Sequence, residues 1–146
     1  MAPIGATSGP TATDGGRRAD VELRVPADRA YASVLRTTTA GLAARLDFPI
    51  DDIEDLRIAV GEACSLLIGA GARKGTLTLT FGLDADAVGV TIVGAFDQPG
   101  VAGDDSGLSD QILDAVVDEH EVDLARDRVW ISKRHALTTS EEAEPA

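Results

Sequence analysis

Cysteine is almost missing from this chain. Cys64 is the only one, so no internal disulfide can brace the fold. Aromatics are equally scarce, with one Trp, one Tyr and three Phe making 3% of residues. The core must therefore be built from Val, Leu, Ile and Ala. No apolar run is long enough to cross a bilayer. The opening "MAPIGATSGPTATDGGRRAD" has no apolar h-region, which argues against a secretory leader and for a cytoplasmic protein. Basic residues are few, 13 against 25 acidic ones, for a net charge of -12. That balance argues against direct nucleic-acid binding and against docking on an anionic membrane. It suits a protein partner with a basic face, or simply keeps the chain soluble.

What is present fits one domain of 146 residues with room for a core. Residues 1–20 are rich in Gly, Ala, Pro, Thr and Ser without periodicity, and read as a disordered N-terminal arm. Residues 138–146 read as a disordered acidic tail, leaving residues 21–137 as the folded domain. "VELRV" alternates Val21, Leu23 and Val25 with polar residues and predicts a short strand closed by Pro26. "ADRAYASVLRTTTAGLAARL" predicts a helix with Tyr31, Val34, Leu35, Thr38, Leu42 and Leu46 on its inner face. Gly41 inside it suggests a close packing contact. "DFP" ends it, because the residue before a proline avoids helix.

A second helix is predicted from Asp51 or Asp52, with Ile53, Leu56, Val60, Ala63, Cys64 and Leu67 inward. Its other side carries Asp55, Ile58, Ala59, Glu62 and Leu66, and the glycines at 69 and 71 stop it. "GTLTLTFGLD" and "AVGVTIVGA" alternate with period two and read as an antiparallel hairpin. "FDQPGVAGDDSG" is a loop. "LSDQILDAVVDEH" is a short helix with Leu108, Ile112, Leu113 and Val116 inward. "EVDLA" and "RVWISKR" read as a last strand pair. The expected fold is an α+β two-layer sandwich, with a mixed, mostly antiparallel sheet and helices on one face.

"EDLRIAVGEACS" (54–65) resembles the N-box helix of the GHKL ATPase/kinase superfamily, in the form found in anti-sigma factor serine kinases of the RsbW and SpoIIAB type. "VELRVPADRAYASVLRTTTAGLAARL" is similar to that family's opening strand and helix. "SGLSDQILDAVVDEHEVD" is similar to the stretch running on from its second glycine box. The resemblance covers roughly residues 20–137 and implies the Bergerat, or GHKL-like, fold. It implies that Glu62 would act on the group attacking the γ-phosphate. Leu66 then stands where the family's asparagine holds magnesium, and a leucine has no lone pair to give. Gly94 stands where an aspartate would meet the adenine amino group, and Phe96 where the first glycine would lie. Asp97 would serve only after a shift of three residues. Gly107 would approach the nucleotide, if ATP binds, and Ser109 replaces the next glycine. The loop is also short for a nucleotide lid. No cofactor is therefore expected, although the resemblance brings ATP and Mg²⁺ with it.

Arg36 falls where the family's first helix carries an arginine that reaches the sigma factor. It should point outward, toward a partner or an acidic neighbour on the same surface. Cys64 reads as core. His120 and His135 lack partners at metal spacing, and no metal site is expected. "GDDSG" lacks EF-hand and P-loop patterns and reads as a turn. Trp130 could serve core or interface. The resemblance thus implies an anti-sigma factor that sequesters an alternative sigma factor of the stress or sporulation type. A STAS-domain anti-anti-sigma protein would release it by partner switching, and the chain would be a homodimer with weak or absent kinase activity. The alternatives are an active ATP-dependent serine kinase acting on its STAS antagonist, and a nucleotide-free scaffold for some other ligand.

Overall fold

The alternating segments do form strands, and their apolar sides do share a face. The computed structural model describes residues 19–69, 73–98 and 106–135. Most of the expected N-terminal arm, the acidic tail, and glycines 71, 100 and 103 lie outside them. The strands are β1 (Val21–Pro26), β2 (Gly75–Asp84), β3 (Ala87–Phe96), β4 (Glu119–Asp123) and β5 (Arg128–Arg134). They form one sheet in the order β1-β2-β3-β5-β4. Every described pairing is antiparallel, so the sheet is not mixed.

Register brings the apolar residues of each strand into line. Leu23 faces Leu79, Leu79 faces Ile92, and Ile92 faces Val129. Leu77, Leu79, Phe81, Val88, Val90, Ile92, Val129 and Ile131 are buried on this side. Each such side chain contributes about 1.5–3 kcal/mol on burial. The other face carries the threonines of β2, with Thr91 and Trp130 in register beside them. Trp130 is half-buried there, with its indole Nε1 3.7 Å from where a Cβ on Gly89 would stand. Asp20, the last residue of the expected arm, precedes β1 and is hydrogen-bonded to β2. Its N–H donates to the Phe81 carbonyl, and its carboxylate accepts from the Leu83 N–H.

The helices are α1 (Ala32–Arg45), α2 (Ile50–Ile68) and α3 (Ser106–Val116). A 3₁₀ turn at Arg29–Tyr31 leads into α1, opened by the Asp28 carboxylate accepting from the Ala30 N–H. α2 lies on the sheet, with Leu56, Ala59, Val60, Ala63, Cys64, Leu67 and Ile68 buried. α1 and α3 pack against α2. Asp51 and Asp52 fall in the first turn of α2, where carboxylates suit the helix dipole. Lys133 on β5 reaches back to Asp55 at 3.2 Å and Asp52 at 3.7 Å. Gly69 ends α2 with φ of 74°, a conformation that costs other residues more.

Several expected faces turn out differently. In α1 the buried residues are Leu35, Thr39 and Ala43, and Val34 is 42% exposed. Tyr31 is likewise exposed, and Thr38 only half-buried. Small residues win the inner face because they let α1 approach α2, and Thr39 satisfies its hydroxyl on the Leu35 carbonyl at 2.8 Å. Gly41 is exposed, and a Cβ added to it would meet nothing within 4 Å. The expected packing contact is absent. We therefore expect Gly41→Ala to stabilise the fold by about 1 kcal/mol, from helix propensity alone. A urea midpoint unchanged or lowered would mean that something covers this face. In α3, Leu108 points out and Ser109 points in. The strand expected at 121–125 runs instead over 119–123. Asp123 accepts from the Arg126 N–H and bends the chain into a 3₁₀ turn.

Candidate functional site

Glu62 stands in the middle of α2 and is half-buried. Ile58 and Leu66 lie one turn away on either side, as helical spacing requires. What the carboxylate meets is Ser109, whose Oγ donates to Glu62 Oε2 at 2.6 Å. Ser109 is only 5% exposed, so its hydroxyl needs an internal partner. A bond to a carboxylate is short and among the stronger kinds. Sequence reasoning had placed Ser109 only as a lost glycine. Its spacing of four from buried Leu113 was the signal that it belonged to the inner stripe. Gly107, the retained glycine, is exposed, and the structure does not bring it against Glu62.

Leu66 borders an open depression of about 470 Å³, together with Asp110, His120, Val122 and Leu124. Its lining is mixed, with Asp110 and His120 beside the three apolar residues. His120 sits between two carboxylates of α3, at 3.2 Å from Asp110 and 3.6 Å from Asp114. Among the described residues no group of three His, Cys, Asp or Glu side chains is placed to hold a metal ion.

Beside this depression, at the end of β3, the chain fills its own space. Gly94 faces the covered side of the sheet, opposite buried Leu77. The Phe96 ring folds back on it. A Cβ added at Gly94 would overlap that ring, with Cζ 2.8 Å away. On the ring lies the Arg73 guanidinium, 3.7 Å from the centroid. Arg73 Nη2 donates to the Leu67 carbonyl at 2.7 Å and to Asp127 Oδ1 at 2.8 Å. Its Nη1 donates to the Gln98 carbonyl at 3.2 Å.

Each partner of Arg73 has a local cause. The last carbonyls of α2 have no helical N–H to accept from, and no basic residue sits in its last turn. Arg73 serves Leu67, and Arg29 serves Gly69 at 2.7 Å. Both put positive charge at the negative end of the helix dipole. Asp127 takes a left-handed conformation, φ 52°, at the turn before β5. Its carbonyl accepts from the Gly94 N–H at 2.8 Å. Arg73 thus ties the end of α2, the end of β3 and the β4–β5 turn together. Asp97 is exposed beyond the strand, held by its N–H on the Lys74 carbonyl. It does not take the place of a carboxylate at 94.

Arg36 does not stand straight out from α1. It is half-buried and lies across α2 at Gly61, where an added Cβ would come within 3.4 Å of Nη1. It is near enough to Cys64 to lower that thiol's pKa, although burial prevails and pushes it up to about 11. The thiol stays protonated at neutral pH and acts as core. Exposed apolar residues also occur on these elements: Tyr31 in the turn before α1, Val34 on α1 and Ile58 on α2.

Comparison with known proteins gives a family for the chain. A family described as "Histidine kinase-like ATPase domain" matches residues 25–128. Among curated relatives is the Serine-protein kinase RsbW of Bacillus cereus strain G9842. It is 36% identical over 94 residues, covering 63% of this chain and 56% of that protein. The RsbW of strain ATCC 10987 is 36% identical over 74 residues, 49% of this chain and 46% of that one. The RsbW of strain B4264 is 40% identical over 68 residues, 45% and 42% of the two chains. The chain spans about half the length of these relatives. The family match spans well over half of the sequence, and the antiparallel sheet with its covering helices is consistent with it, so this chain belongs to the histidine kinase-like ATPase domain family.

Proposed function

We propose that this protein is an anti-sigma factor of the RsbW type. It binds an alternative sigma factor and keeps it from RNA polymerase. A STAS-domain anti-anti-sigma protein competes for it, and partners switch with little or no phosphotransfer. The chain works as a homodimer in the cytoplasm. Likeness to RsbW supports the class. The observation that carries the finer reading is the contrast between two parts of the molecule. On the α1–α2 surface the half-buried Arg36 lies across α2 at Gly61, and Val34 and Ile58 of the same two helices are exposed. The C-terminal end of α2 is packed with the chain's own side chains, through Arg73 on the Leu67 carbonyl and on Phe96. Arginine beside apolar surface is the usual composition of an interface anchor. Among the described residues no helix is long and apolar enough to cross a membrane.

The test is calorimetric titration with a candidate alternative sigma factor, without nucleotide. Binding is expected, and Arg36→Ala should weaken it at least tenfold, about 1.4 kcal/mol. The fold should be unchanged, since Arg36 is not part of the core. Failure of every candidate sigma factor to bind would sink the reading.

A second reading is favoured by the retained Glu62. It makes the protein a serine kinase acting on its STAS antagonist. A catalytic carboxylate must be free to meet a hydroxyl. Transfer of labelled phosphate from ATP to a serine of the antagonist, lost in Glu62→Gln, would establish it.

A further inference from the structure

We propose that the pocket end of this fold holds an internal ligand: the Arg73 guanidinium, laid on Phe96 and gripped by Asp127 and the Leu67 carbonyl, fills the space a nucleotide base would need. The inference rests on reading this end as a former nucleotide site, and it deepens that reading. It makes the protein a partner-switching component with a single, nucleotide-free state.

The argument starts from an exchange of bulk between two positions. At 94, where the family resemblance expects a carboxylate, there is no side chain. At 96, where it expects no side chain, there is a ring, and the ring lies in the space that residue 94 vacates. A flat cation then covers the ring at 3.7 Å. Stacking of this kind is favourable where water is excluded, and the Arg73 side chain is only 11% exposed. An arriving base would have to expel the guanidinium from the ring, from a carboxylate and from a helix-terminal carbonyl. It would gain no acceptor for its amino group at 94. The Asp127 carboxylate on the other side is already taken by Arg73.

The phosphate side is equally altered. Glu62 Oε2 accepts the Ser109 hydroxyl, and Leu66 has no lone pair for a metal ion. These residues do not fit magnesium nucleotide, and they fit one another. Arg73 and Asp127 at the one side and Glu62 and Ser109 at the other find hydrogen-bond partners within the chain.

The test uses the full chain labelled with ¹⁵N. The Arg73 side-chain signals are assigned by their loss in Arg73→Lys. Phe96→Leu keeps apolar bulk and supplies a second assignment, by loss of the ring shift, should Arg73→Lys fail to fold. The expected result is an Nη–H group that exchanges slowly, is shifted upfield by the Phe96 ring, and does not move with millimolar Mg-ATP or Mg-ADP. Signals at the position of free, averaged arginine would overturn the proposal, as would a saturable shift with either nucleotide. The outcome is independent of sigma binding. A protein that sequesters a sigma factor and also binds Mg-ATP would refute the internal ligand and leave the anti-sigma reading standing.

Discussion

Arg73→Ala should remove about 3 kcal/mol of unfolding free energy, the lower part of the range for breaking a buried ion pair. Arg73 makes one ion pair, two bonds to carbonyls and one stacking contact at the same time. Truncation leaves the Asp127 carboxylate and the Leu67 carbonyl without their donor. Asp127 retains 24% side-chain exposure, so water can recover part of the loss, which keeps the figure below the upper end. Arg73→Lys should restore little of it. An ammonium cannot lie flat on Phe96 while bonding on two sides. Asp127→Asn should cost less than Arg73→Ala, because asparagine tolerates the left-handed turn and still accepts a hydrogen bond. Urea unfolding of the single and double variants measures the coupling between 73 and 127. Simple additivity of the two losses would show that the pair does not act as a unit.

This cluster is also the part of the molecule that sequence reasoning could not reach. Arg73, Phe96 and Asp127 meet only because β2, β3 and β5 are paired in one register. Nothing local in "ARKG" or "ARDR" announces the contact. Where physics is local, the sequence was legible. Leu77, Leu79 and Phe81 alternate with threonines, and the sheet follows that period directly. The covering helix α2 was nearly as plain, since its apolar residues form a broad stripe, although that stripe is wider than expected and takes in Ala59, expected on the outer side. By contrast, α1 has almost no contrast between its faces; Leu35, Leu42 and Leu46 do meet the core as expected, but Tyr31 and Val34 do not. Val34 and Leu35 adjoin, and only one can face inward. The choice falls to Ala43 and Thr39, whose small size allows the close approach to α2. Ser109 was misjudged for a related reason. Compared with a family pattern it is a missing glycine, but compared with its own helix it is an inward hydroxyl in need of a partner.

Gly94→Ala should destabilise the protein by about 2 kcal/mol, although alanine is usually the better strand residue and the added group is a single methyl. The backbone is not the obstacle, since Gly94 has no positive φ. The obstacle is the Phe96 ring, which occupies the volume of the new Cβ. To make room the ring must swing off Gly94 and leave the Arg73 guanidinium without its stacking surface. The loss should therefore depend on Phe96. In a Phe96→Ala background the volume is open, and Gly94→Ala should cost nothing or stabilise slightly. The paired measurements distinguish a steric cause from a backbone one, because only a steric cause disappears with the ring. If Gly94→Ala were equally harmful in both backgrounds, the ring would not be the occupant of this space. The case for a pocket closed by its own residues would then fail at its first step.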